Sequence, residues 1–239
     1  MKKYELTEET TNIFGKTLHR IRATRDFSNV HAGDLGGFIE NELNLSHDRD
    51  TWVYGNAWVY GEARVGGKAL VSGNALVYGK ALVDGNAWAY GEARVSGNAL
   101  VSGGARVEGN AWVGGNALVS GDARVGGKAL VGGDAWVGGN ALVSGNALVY
   151  GNALVYGNAL VKGTRDIYWI PCIGSRDGTT TFFRNANNGI SVSCGCFYGT
   201  IDEFAAAVTK THGDNEHAQA YRHAIEIAKL RIKLTDAES

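Results

Sequence analysis

Residues 149–161 read VYGNALVYGNALV, and the same six-residue unit runs back through the chain as far as Trp52. From Trp52 to Gly163 there are about nineteen copies of (L/W/R)-V-x-G-(N/K/E/D)-A, with no insertion or deletion. Valine holds every sixth position from Val53 to Val161, Ala89 excepted, and alanine every sixth position from Ala57 to Ala159. Within a unit, A-(L/W/R)-V-x has the period of two of a strand, with Ala and Val on one face. The glycine and polar residue that follow are corner residues, since Gly and Asn reach positive φ at low cost.

A strand of about four residues followed by a two-residue corner, always in the same sense, contains nothing that reverses the chain, so the chain must coil. Three units per turn predict a triangular 18-residue coil with Val and Ala inside and each strand parallel to the one a turn later. About six such coils, at a strand spacing of ~4.8 Å, make a prism roughly 30 Å long. The pattern resembles the hexapeptide-repeat proteins, whose aliphatic position is followed four places later by a small one. That resemblance implies a left-handed parallel β-helix, although crossovers in general prefer the right hand.

Coiling sorts the outward residues into three columns. The first holds Trp52, Leu70, Trp88, Arg106, Arg124, Leu142 and Leu160; the second holds Trp58, Leu76, Arg94, Trp112, Leu130 and Leu148. The third begins at Arg64 and continues as Leu82, Leu100, Leu118, Trp136 and Leu154, an unbroken apolar stripe. A monomer seldom exposes such a stripe, so the third column is expected to be the most buried, against another subunit or the chain's own flanks. A closed homo-oligomer follows, a trimer first, as in related hexapeptide proteins.

The rest of the composition excludes several classes. The net charge of -1 gives no field that would steer the chain to nucleic acid or an anionic membrane. No run reaches the roughly 20 apolar residues of a membrane helix, and "MKKYELTEET" has no apolar run behind its lysines. The expected setting is cytoplasmic, and the three cysteines, Cys172, Cys194 and Cys196, are expected as reduced thiols. Hexapeptide prisms resemble those of acyltransferases, which use a histidine base, but no histidine lies between His47 and His212. An ice-binding face would need outward threonines, and the repeat contains none. The prism therefore reads as a non-catalytic scaffold, with no cofactor expected.

Three segments are expected: an N-terminal β cap at 1–51, the β-helix at 52–163 and an α/β module at 164–239. In the cap, a strand over Leu18 to Ala23 is followed by a turn, a Gly-rich passage and a second strand. Arg20, Arg22 and Arg25 are expected on a basic, solvated face, and "HAGDLGGF" as a tight turn, since it lacks the ending of a phosphate loop. "RIRATRDFSNVHAGDLGGFIE", followed by "NLS" and "WVYGNA", resembles the YdcK-like family of bacterial and prophage β-helix proteins. That resemblance implies architecture and setting, and carries no activity.

After Gly163 the period stops and the pattern reads β-β-β-α-α, with strands near Ile167 to Ile173, Thr179 to Arg184 and Ile190 to Cys194. Thr200 and Glu203 form a capping box that opens the first helix, which ends near "THG". The second helix runs from about Asp214 to Leu234, with Ala220, Ala224, Ile227, Leu230 and Leu234 at helical spacing. "IGSR", "TTFFR", "ISVSCGCFYGT" and "THG" resemble a module of phage and prophage proteins of unknown role.

This module holds most of the uncommon chemistry. Cys194 and Cys196, two apart on a strand, would point the same way and, with Cys172 and His212, would supply a Cys3His zinc set; reduced buried cysteines are the plainer reading, and no metal is expected. Arg176, Thr180, Arg184, Ser193, Cys196 and His212 would line a pocket for a small anionic or nucleotide ligand. Cys196 with His212 as base would make a hydrolase, but an acidic orienter is missing. The sequence thus predicts a phage- or prophage-encoded interaction protein that inhibits a host factor, such as a defence system, with ligand sequestration or an enzyme as alternatives.

Overall fold

The computed structural model describes residues 2–234; the outermost ends of the expected cap and module, residue 1 and residues 235–239, lie outside the described residues. β1 (Tyr4–Ile13), β2 (Lys16–Ala23) and β3 (Leu35–Ile39) precede nineteen two-residue strands, from β4 (Trp52–Val53) to β22 (Leu160–Val161). These fall into three parallel sheets whose members are the three columns expected from the sequence. The protein is a mainly β parallel solenoid of about seven turns.

Its backbone polar groups are satisfied by the coil above. Leu100, Ser102 and Gly104 donate to the carbonyls of Ala117, Val119 and Gly121 at 2.8–2.9 Å, and most repeats before the last coil do the same. The interior is filled by the inward Val and Ala, none more than 2% exposed. Each fully buried valine contributes roughly 1.5–3 kcal/mol, so stability comes from repetition of one small contact.

The outward aromatics have a local role. Trp112 and Trp136 donate from Nε1 to Ser96 and Ser120 of the preceding coil, at 2.8 and 2.9 Å. Each indole lies over the glycine two places on, so that a Cβ at Gly114 or Gly138 would meet Nε1 at 2.9 Å. In this single chain the third-column leucines are half-buried, while Trp136 is 44% exposed, comparable to Trp88 and Trp112 on the other columns.

The first turn starts earlier than the repeat does. Phe38 and Ile39 pair in parallel with Trp58 and Val59, and Leu45 bridges to Val65, which accounts for the turn beyond the six expected. "DLGGF" is therefore largely strand rather than turn. Gly36 and Gly37 are required by close approach, since their Cβ atoms would lie 2.6 Å from Val53 O and 2.4 Å from Ala57 O. β1 adds a strand to those expected; it pairs antiparallel with β2, which itself begins at Lys16. Its glutamates also neutralise two arginines of the expected basic face, with Arg20 bound to Glu9 at 2.8 Å and Arg22 to Glu5 at 2.5 Å, while Arg25 stays exposed.

Tyr4 and Phe27 pack edge-on against Trp52 and close the N-terminal end, which leaves Trp52 buried although it belongs to an outward column. Beside them, fully buried Lys3 donates to Thr51 O at 2.7 Å and lies 5.1 Å from the Phe27 ring. Burial, and next Arg25, pull its pKa down to about 8 against Asp50 and Asp48.

The other end is covered by a four-stranded antiparallel sheet, β23 (Ile167–Ile173), β24 (Gly178–Arg184), β25 (Ile190–Cys194) and β26 (Phe197–Thr200). The fourth strand goes beyond the three expected. One face of the sheet sends Ile167 and Phe183 into the solenoid core, and Thr181 Oγ1 accepts from Leu154 N at 3.0 Å. The other face packs on α1 (Ile201–His212) and α2 (Glu216–Arg231) through Phe182, Val192, Phe204 and Tyr221. The capping box at Thr200 and Glu203 is present, and Gly213 ends α1. α2 is shorter than expected and turned: Ala218, Tyr221, Ala224, Ile225 and Ala228 are buried, while Ile227, Leu230 and Leu234 are exposed.

Candidate functional site

Strand alternation in the C-terminal sheet decides which side chains meet. Thr180 and Cys194 are cross-strand partners on the helix side, where the Thr180 hydroxyl donates to Cys194 Sγ at 3.1 Å. Thr181 and Ser193, the next pair, lie on the solenoid side, with Ser193 beside Tyr156. Ser193 therefore does not join Cys196 and His212. Arg184 is also placed elsewhere, 3.9 Å from Asp166 and in hydrogen-bond contact with Asn188.

A cavity of about 290 Å³ opens between the β23–β24 and β25–β26 turns and the two helices. Three of the six expected ligand residues, Arg176, Cys196 and His212, line it, together with Cys194, Phe204 and Tyr221. Thr180 is fully buried behind Cys194 and is not part of the wall. The hairpin turn is Gly195-Cys196, with Gly195 at φ +58°, so Cys196 sits on a turn rather than on the same strand as Cys194.

At the rear, Cys194 Sγ is 3.6 Å from the Tyr221 hydroxyl. Burial, and next the contact with Cys194, raise the Tyr221 pKa well above the usual phenol range, with Arg176 opposing. That phenol stays protonated and serves as a hydrogen-bonding group rather than a base. The His212 ring lies 5.8 Å from both Tyr221 and His217. Phe204 packs edge-on to Tyr221 at 5.4 Å and supplies an apolar wall.

The cavity does not assemble the chemistry of a cysteine hydrolase. Cys196 and His212 share it, but no hydrogen bond joins them, and the partners of Cys194 are two hydroxyls. The Cys3His set is likewise not brought together. Cys172 is exposed in the bulge of edge strand β23, at φ +52°, and lines no part of the cavity. Among the described residues no group of three or more His, Cys, Asp or Glu side chains is close enough to hold a metal ion.

Tyr221 and Cys194 are additions to the expected ligand residues. The signal for Tyr221 is a phenol placed one turn from Ala218, Ala224 and Ile225 on the buried face of α2, where its hydroxyl must find a partner. For Cys194 it is the cross-strand register with Thr180, which becomes readable only once both strands are aligned.

Residues 93–109 and 147–163 match the family model described as the YdcK β-solenoid repeat. Both stretches lie inside the solenoid, and the match is to a structural repeat rather than a catalytic family. The repeats of this protein are thus similar to those of the YdcK solenoid, in agreement with the three parallel sheets. No curated protein matches the chain.

Proposed function

We propose that this protein is a non-catalytic scaffold and interaction protein in which the solenoid is a rigid support and the C-terminal module meets the partner. The observation that carries the reading is the division of chemistry along the chain. The coil has an interior of Val and Ala, while the cysteines and His212 lie beyond it. The resemblance of the module to phage and prophage segments supports a phage or prophage origin and action in the host cytoplasm as an inhibitor of a host factor. The hexapeptide resemblance supports a left-handed coil. The apolar third column, Leu82, Leu100, Leu118, Trp136 and Leu154, supports self-association, with a trimer as the leading form.

Affinity capture from host lysate with the full chain, followed by mass spectrometry, tests the reading. The expected result is a stoichiometric host protein whose activity falls when the purified chain is added. Turnover of an acyl donor or ester by the purified chain, abolished by Cys196→Ser or His212→Gln, would overturn it.

A further inference from the structure

We propose that the cavity between the β23–β24 and β25–β26 turns and the two helices binds a small amphipathic monocarboxylate, its apolar body inside and its carboxylate on Arg176. The inference is independent of the assembly and of the host partner.

Size, polarity and charge each narrow the occupant. At about 290 Å³ the cavity is at the small end of ligand sites and suits one ring or a short branched chain. Phe197, Phe204 and Val208 give it apolar walls, so a compact, strongly hydrated ion such as phosphate gains little from entering. Arg176 is the one permanently charged residue in the lining, and no acidic side chain lines the cavity. Among the described residues Arg176 makes no ion pair or side-chain hydrogen bond, its interaction being the electrostatic one with Tyr221, and Asp177 lies outside the lining. Its guanidinium is free to take a carboxylate through two parallel N–H donors. Thr180 and Tyr221 already engage Cys194 at the rear, which leaves that end suited to hydrocarbon rather than to a second charge.

Calorimetric titration of the full chain with 3-phenylpropanoate, and with its uncharged amide, tests the proposal. The acid is expected to bind saturably and more tightly than the amide. Arg176→Gln, at an exposed position, is expected to weaken the acid at least about tenfold and the amide by much less. Bound acid is also expected to slow alkylation of Cys196 but not of Cys172, read by peptide mass spectrometry. Equal binding of acid and amide, acid binding unaffected by Arg176→Gln, no saturable binding, or no protection of Cys196 would each overturn it.

Discussion

Gly97 sits at a corner of the coil with φ +67°, and a Cβ there would lie 2.7 Å from the carbonyl oxygen of Gly115 directly above. Two constraints coincide, a left-handed backbone and a stack of glycine on glycine. Gly97→Ala is therefore expected to destabilise the solenoid by about 1–3 kcal/mol, measured by denaturant titration. The corner role is legible because glycine recurs at a fixed place in every unit. Gly36 and Gly37 are harder to read: a glycine pressed against a neighbouring backbone and a glycine in a turn leave the same letter in a sequence. Within the cavity, Arg176, Cys196 and His212 are legible as residue types. Thr180 and Ser193 are misplaced because Thr179, Thr180 and Thr181 put hydroxyls on both faces of β24, while β25 alternates Ser191 and Ser193 with apolar residues but is buried on both faces, so its polar positions do not mark an open pocket.

At the scale of elements, the N-terminal cap carries a pH dependence. The Lys3 amine has a pKa lowered to about 8 in the fold, chiefly by burial, against an ordinary 10.5. Between those values the unfolded chain holds more protons than the folded one, so stability rises with pH across that window. Burial raises Tyr4 above its usual 10.0, which opposes the trend at the upper end, so the gain is expected from about pH 8 to pH 10. Denaturant titrations across this range should show the rise, and Lys3→Met should lack it; the same slope in both proteins would contradict the assignment. At the start of α1, Thr200 accepts from Glu203 N at 3.2 Å, and Thr200→Ala is expected to cost about 1 kcal/mol in the same measurement.

Elements with their own local signal are legible, among them this capped helix and the first three strands of the C-terminal sheet. β1 is hidden because its middle, "TEETT", lacks alternating apolar residues and is held mainly by pairing with β2. β26 is hidden because it is four residues long and follows a two-residue turn. The apolar residues of α2 lie around much of its circumference, so spacing alone favours Ile227 and Leu230 over the face that tertiary packing buries.

For the whole molecule, the six-residue period determines the three sheets and their membership, because an unbroken repeat leaves one way to stack it. How the ends close is less legible. The Tyr4, Phe27 and Trp52 cluster and the Ile167 and Phe183 plug come from segments distant in sequence from their partners. Closed ends leave the sides of the prism as the surfaces for association, and the third column is the most continuous apolar one. The most direct measurement is the mass of the chain in solution by sedimentation equilibrium at micromolar concentration, with Leu100→Arg and Leu118→Arg together as the comparison. A trimer joined through the third column predicts three times the 25.3 kDa chain mass for the wild type and a single chain for the variant. A wild-type protein that stays at the mass of one chain would contradict it.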